Sequence, residues 1–203
     1  MIYFPSDTLE AESGAREKLA RNDDGTYTLT AVDQVKELYD STGNLISLTD
    51  LNGNTISLSY QNGRLSTVTD PFGRTLSFSY DTSGKIASIT DSAGKTIQFG
   101  YDSNNNLTLV TYQDSTKQYI YDDPGDVHNL TGIVDENGNR YATFAYDEND
   151  RAILSTHAGD ANRIDITYGV DGDQCKTEVT DGRGNTTIYT FEVIQGVAVT
   201  TSV

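Results

Sequence analysis

Tyrosine returns along this chain at an almost constant interval, and an interval of this length leaves few folds open. It stands at Tyr39, Tyr60, Tyr80, Tyr101, Tyr121, Tyr146 and Tyr168, with Phe191 in register after them, at steps of 21, 20, 21, 20, 25, 22 and 23 residues. Such a period marks a repeat array, in which each unit is one supersecondary element that cannot bury its apolar face alone. Chains built this way usually serve as scaffolds or surfaces and seldom as catalysts.

Each unit carries two turn signals. The first follows the tyrosine, as in Tyr39-Asp40-Ser41-Thr42-Gly43-Asn44-Leu45, Tyr60-Gln61-Asn62-Gly63-Arg64-Leu65 and Tyr80-Asp81-Thr82-Ser83-Gly84-Lys85-Ile86. The second lies about ten residues on, as in Asp50-Leu51-Asn52-Gly53-Asn54-Thr55, Asp70-Pro71-Phe72-Gly73-Arg74-Thr75 and Asp91-Ser92-Ala93-Gly94-Lys95-Thr96, and recurs at 135–139 and 181–185. Asp at the head of a turn accepts backbone N–H groups inside it, and Gly supplies the positive φ of a tight reversal. Gly53, Gly73, Gly94 and Gly138 are therefore expected at positive φ.

Between the turns run segments with a period of two. Thr55-Ile56-Ser57-Leu58-Ser59-Tyr60 places Ile56, Leu58 and Tyr60 on one face and hydroxyls on the other, and Leu76, Phe78 and Tyr80 repeat the pattern. Such alternation predicts half-buried antiparallel strands. The preceding segment is less regular, with apolar residues three apart: Leu45 and Leu48, Leu65 and Val68, Ile86 and Ile89. Either a bulge re-aims one member of each pair, or the first packs over the turn while the second faces the other side.

The unit is thus a β-hairpin of about 20 residues repeated about seven times, which predicts about fourteen strands over residues 27–203. Three copies depart from it: Gln113-Asp114-Ser115 replaces a Gly turn, the fifth copy lengthens its first loop through Asp122-Asp123-Pro124-Gly125-Asp126-Val127-His128, and the sixth uses His157-Ala158-Gly159-Asp160. Residues 1–26 lack the period and form a partial or capping hairpin region. Asn22-Asp23-Asp24-Gly25 reads as one more turn and Glu10 to Ala20 as a short helix.

Only 35% of the 203 residues are hydrophobic, tryptophan is absent and there are 18 glycines, which fits a thin, turn-rich sheet better than a thick two-layer globule. The formal charge of -16 repels nucleic-acid phosphates and no basic cluster offsets it. No apolar run is long enough to span a membrane as a helix, and Met1-Ile2-Tyr3-Phe4-Pro5 has neither the basic region nor the apolar core of a signal peptide. Cys175 is the single cysteine, so no internal disulfide forms. The high Thr, Ser, Asn, Asp and Gly content is that of a bacterial extracellular β-repeat protein.

The alternating signatures Tyr-Asp-x-x-Gly-x-Leu and Thr-Asp-x-x-Gly-(Asn/Arg/Lys)-Thr resemble the Rhs/YD-repeat family. Tyr39 to Leu45 with Thr49 to Thr55 is a full match, as is Tyr80 to Ile86 with Thr90 to Thr96. The resemblance covers about residues 27–203, and two motifs alternating in phase make it specific. It takes in bacterial Rhs and wall-associated toxin proteins, the shell subunits of insecticidal toxin complexes, and the teneurins. It implies an all-β fold of consecutive antiparallel hairpins forming one long curled sheet, a segment of a spiral shell that in toxin members encloses a C-terminal toxin. The family's terminal core segment, with its self-cleaving aspartyl site, has no match in this sequence.

Candidate sites weigh against chemistry. Asp123-Pro124-Gly125 and Asp70-Pro71-Phe72-Gly73 look like that cleavage motif but fall at turn phases. Asp50, Asn52 and Asn54, and Asp135, Asn137 and Asn139, have calcium-loop oxygen spacing, yet Thr55 and Arg140 stand where the loop needs glycine. His128 and His157 lie in separate polar loops and read as surface histidines, Cys175 reads as a part-buried thiol with no positioned base, and no zinc spacing occurs. The tyrosines either stack on sugar rings or fill gaps between hairpins with each hydroxyl bonded to backbone, and their strict phase favours the latter.

The expectation is a non-enzymatic structural repeat module without cofactor, metal or catalytic residue, a shell fragment enclosing or presenting a toxin in a secreted or surface bacterial protein. Its partners are then the rest of the parent polypeptide and the toxin cargo. The alternative is a carbohydrate-binding or adhesive module whose partner is a cell-surface glycan.

Overall fold

The computed structural model describes residues 16–171, 174–194 and 197–202. The chain divides into two compact units, Met1–Ile97 and Gln98–Val203.

In the first unit the strands are β1 (Lys18–Arg21), β2 (Tyr27–Thr30), β3 (Lys36–Tyr39), β4 (Leu45–Thr49), β5 (Thr55–Gln61), β6 (Arg64–Thr69), β7 (Thr75–Tyr80) and β8 (Ile86–Asp91). Each pairs antiparallel with the next. β9 (Thr96–Tyr101) begins in the first unit. The second unit continues with β10 (Leu107–Thr111), β11 (Thr116–Ile120), β12 (Gly132–Val134), β13 (Arg140–Tyr146), β14 (Ala152–His157), β15 (Ala161–Asp171), β16 (Gln174–Asp181), β17 (Thr186–Ile194) and β18 (Val197–Ser202). From β9 onward consecutive strands again pair antiparallel. A single 3-10 turn, Ala158–Asp160, is the only helical element among the described residues. The protein is all-β, built of consecutive hairpins as the tyrosine period predicts.

The strand count exceeds the expectation. Of the eighteen strands among the described residues, all but β1 fall within residues 27–203, giving seventeen instead of about fourteen. The excess is β2, β3 and β18: β2 and β18 lie outside the span from Tyr39 to Phe191 that carries the period, and β3 leads into it, ending on Tyr39. The turn expected at Asn22 is present, with the Asn22 N–H donating to the Thr26 carbonyl at 2.8 Å. Of the helix expected over Glu10 to Ala20, residues 10–15 lie outside the described residues. Lys18 to Ala20 belong to β1 instead, because pairing with β2 satisfies their backbone groups where an isolated short helix would leave most unbonded.

One turn geometry recurs. The first residue's N–H donates to the fifth residue's carbonyl, and the fourth residue's N–H returns to the first carbonyl, at 3.0 and 3.1 Å across 50–54 and 2.9 and 3.0 Å across 70–74. This is a type I turn closed by a left-handed residue. Gly53, Gly73, Gly94 and Gly138 take φ of 81°, 80°, 82° and 79°, as the turn assignment requires.

The irregular pairs resolve as bulges. Tyr60 pairs with Leu65 while Ser59 pairs with Thr67, so Ser66 is the extra residue; Ile46 and Ala87 are its counterparts after Tyr39 and Tyr80. One extra residue turns a spacing of three into two ladder steps. Leu65 and Val68 therefore share a face with Tyr60 and Leu58.

Among the described residues no second layer covers the strands: substantial contacts join consecutive strands, apart from the 3-10 turn against β13. Among the described residues only Tyr39, Val110 and Ala142 are buried hydrophobics, and no side chain is wholly enclosed. The fold is held by ladder hydrogen bonds, in-sheet side-chain packing and turn chemistry.

Candidate functional site

The chemistry that repeats is in the turns. Asp50 accepts the N–H groups of Asn52 and Asn54 on Oδ1 at 2.8 and 2.9 Å, and Asn54 Nδ2 donates to Oδ2 at 2.7 Å. The same carboxylate cradle stands at Asp40, Asp102 and Asp181 with Asn as its fifth residue, and at Asp70 and Asp147 with Arg in that place. The Asn/Arg preference after the turn glycine thus has a cause, since both side chains reach back to the second carboxylate oxygen. In the Asp50, Asn52 and Asn54 turn, which has calcium-loop oxygen spacing, both Asp50 oxygens accept donors from the turn itself.

These bonds favour the charged carboxylate. At Asp50, Asp147 and Asp181 the side chain of the fifth residue is the first cause of a pKa below the usual range, followed by backbone N–H donors. At Asp40 burial pushes upward, but hydrogen bonds from Thr42 and Asn44 carry it down to about 2. A depressed native pKa contributes stability that is fully present above the unfolded value and is lost as pH falls through the native one. The melting temperature is therefore expected to hold near neutral pH and to fall between about pH 4 and pH 2. Relief of the -16 self-repulsion acts the other way; a melting temperature that rises on acidification would show that repulsion outweighs the turns. Asp50→Ala, which removes all three bonds from an exposed turn, is expected to lower the urea unfolding midpoint and to flatten the loss of stability on acidification.

The tyrosines form a ladder. Tyr60 donates its hydroxyl to the Leu45 carbonyl at 2.8 Å, Tyr80 to Leu65 at 2.7 Å, Tyr146 to Leu130 at 3.0 Å and Tyr168 to Ala152 at 2.9 Å. Leu45, Leu65 and Ala152 are themselves paired across from Tyr39, Tyr60 and Tyr146. Tyr60, Tyr80 and Tyr168 are thereby tied to the residue paired with the previous tyrosine of the period, Tyr39, Tyr60 and Tyr146 respectively. In two repeats a guanidinium covers the ring, Arg64 over Tyr80 at 5.3 Å and Arg151 over Tyr168 at 4.3 Å. Burial, followed by the Glu37 carboxylate that accepts its hydroxyl, pushes Tyr39 up to about 12. Rings held this way fill gaps between hairpins.

The long fifth loop is a brace. Its His128 Nδ1 lies 2.7 Å from Asn106 Oδ1, in the turn of the preceding repeat, and the Val127 carbonyl accepts Asn106 Nδ2 at 2.7 Å. Asn129 Nδ2 reaches Asp123 within the loop at 3.1 Å and Asp150, in the turn of the following repeat, at 3.2 Å. The Asn106 Nδ2 donors point its Oδ1 at the imidazole, so Nδ1 carries the proton. No sequence signal announces this brace, because its partners lie 21 or 22 residues away.

The remaining candidates stay apart. Asp123 accepts the Gly125 N–H at 2.8 Å and Asp70 that of Phe72 at 2.9 Å, so both Asp-Pro sequences are turns. His157 stacks on Tyr141 with centroids 4.8 Å apart. Cys175 is exposed rather than part-buried, with only the neighbouring strands β15 and β17 packed beside β16 among the described residues. Among the described residues three turns of the five-residue geometry lack glycine and escape detection by motif: residues 31–35, 102–106 and 147–151, where Gln34, Asn105 and Asp150 take φ of 67°, 72° and 58°.

A hairpin array whose repeating polar chemistry is consumed in its own turns defines a scaffold-type repeat protein. The chain belongs to the teneurin YD-shell family, whose model matches residues 8–201. No curated protein matches it. Among solved structures it is similar to TcdB2-TccC3 without its hypervariable C-terminal region, at 20% identity and a TM-score of 0.54 over 88% of this chain and 10% of that one. TcdB2-TccC3-Cdc42 matches at 18% identity and a TM-score of 0.53 over the same shares, 88% and 10%. A Photorhabdus luminescens Tc holotoxin pore gives 18% identity and a TM-score of 0.53, again over 88% of this chain and 10% of that one. This chain thus spans about a tenth of the length of those structures, and at such identities the likeness establishes the fold.

Proposed function

We propose that this chain is a non-enzymatic segment of shell wall, one continuous hairpin module over residues 27–203, that helps enclose or present a toxin within a longer secreted or cell-surface bacterial polypeptide. The observation that carries the reading is the tyrosine ladder, in which Tyr60, Tyr80 and Tyr168 latch their hairpins to the preceding ones while the turn carboxylates accept donors of their own turns. That arrangement suits a wall that extends by adding hairpins. The family and the toxin complexes among its structural neighbours support the same reading. No helix among the described residues is long and apolar enough to cross a membrane.

Limited proteolysis of the parent polypeptide tests it. A flanking segment that resists protease while the wall is intact, and becomes sensitive when the wall is destabilised, supports enclosure. A flanking segment cleaved as fast as a free chain overturns it. In a glycan array, saturable binding lost on substitution of the tyrosines would favour the adhesive alternative.

A further inference from the structure

The first unit carries an apolar groove bordered by two of its turns. Its floor is Ile56, Val68 and Leu76 on β5, β6 and β7, and its rim holds Asp70, Arg74 and Asp91, enclosing about 310 Å3. Val68 pairs with Leu76, and Leu76 with Asp91, so floor and rim are set by the ladder register. Ile56 and Leu76 are 36% and 43% exposed although both sit on the apolar face of the sheet. On the adjoining turns Leu51 and Phe72 are 74% and 81% exposed. Solvated aliphatic side chains concentrated in one place mark an interaction surface.

Charge narrows the occupant. The rim sets two carboxylates against one guanidinium, and Asp70 is held ionised by its turn. The whole chain carries -16, so a second copy, a nucleic acid or an anionic surface meets net repulsion. A cationic polypeptide meets attraction. Volume fits this class: a cavity of about 150 Å3 admits a benzene-sized group, so this groove takes two aliphatic or aromatic side chains. In an extended chain, alternate side chains lie about 7 Å apart on one face, a spacing that suits a groove crossing three strands.

We infer that this groove docks an extended cationic polypeptide segment, with alternate apolar side chains on Ile56, Val68 and Leu76 and lysine or arginine side chains at the Asp70 and Asp91 rim. The inference rests on the shell reading, in which such a segment belongs to the enclosed polypeptide.

The test uses the full 203-residue chain and short labelled peptides below their self-association concentrations, at physiological salt. An alternating Leu-Lys peptide is expected to bind saturably, about tenfold tighter than a Ser-Lys peptide of equal charge, with no binding by a Leu-Glu peptide. The Ile56→Ser/Leu76→Ser double variant changes side chains that are already solvated, so it should keep its circular dichroism and lose about tenfold in Leu-Lys affinity. Equal binding of the Leu-Lys and Ser-Lys peptides would show attraction by charge alone and overturn the site. Undiminished binding by the double variant would do the same. Self-association of the chain that the double variant abolishes would make a second copy the occupant and overturn the proposal. If the parent polypeptide still protects its flanking segment from protease while the peptides fail, the groove falls and the shell stands. If the peptides bind as expected and the flanking segment is unprotected, the shell falls and the groove stands.

Discussion

Alanine at Tyr39 is expected to remove about 3–5 kcal/mol of stability. Its ring is 7% exposed, the best buried of the repeating tyrosines, on a face where few side chains are buried at all. The loss combines transfer of the ring to water with the void left across from Leu45, its pairing partner. Tyr80→Phe isolates the other half of the ladder, keeping the ring and deleting the 2.7 Å bond to the Leu65 carbonyl, and is expected to cost about 1 kcal/mol. Because repeat arrays are stabilised between nearest neighbours, hydrogen exchange in the Tyr39→Ala protein should accelerate first in β3, β4 and β5. Protection in β7 and β8 should persist. Uniform loss of protection across the first unit would show that the hairpins unfold as one body. A Tyr39→Ala protein as stable as the parent would remove the ladder from the account of stability.

Valine at Gly84 is expected to be the most damaging of the turn substitutions. At φ +86° a β-branched residue is strained by about 1–3 kcal/mol. Here space adds to strain, since a Cβ would lie 2.3 Å from the Arg64 guanidinium. Arg64 must then leave its place over the Tyr80 ring, which forfeits about 0.5–1 kcal/mol more at an exposed site. Gly53→Val is the control. It has the same left-handed backbone, φ +81°, with nothing within 4 Å of the added carbon, so it carries the strain alone. Unfolding midpoints in urea that are equal for the two variants would show that the Arg64 contact contributes nothing.

Much of this fold is legible in the sequence because its determinants are local. Antiparallel hairpins need only a turn and two short alternating segments, and each Asp-x-x-Gly-Asn turn contains all the groups that make its own bonds. Gly53, Gly73, Gly94 and Gly138 could be placed at positive φ without knowing what surrounds them, because only their own five residues set the requirement. The tyrosine phase likewise pointed to hydroxyls bonded to backbone before any carbonyl could be named.

Tertiary structure decided what depends on partners distant in sequence. The three-residue spacing of Leu65 and Val68 admits two readings from sequence, and only the pairing of Tyr60 with Leu65 and Ser59 with Thr67 selects the bulge. Gln34, Asn105 and Asp150 close turns where no glycine stands, because pairing of the flanking strands stabilises a left-handed conformation that composition alone would not select. The segment at Lys18 reads as helix in isolation and becomes a strand once β2 offers its edge. The brace through His128, Asn106 and Asn129, and the groove over Ile56, Val68 and Leu76, are set by register between strands. Turns and alternation are properties of about five to seven consecutive residues that recur every 20 to 25, so the sequence alone determined the hairpin and its repetition. The bulge depends on which residues pair across a hairpin, and the groove and the brace on neighbours in separate strands and turns up to 22 residues apart, and only the folded sheet brings those partners together.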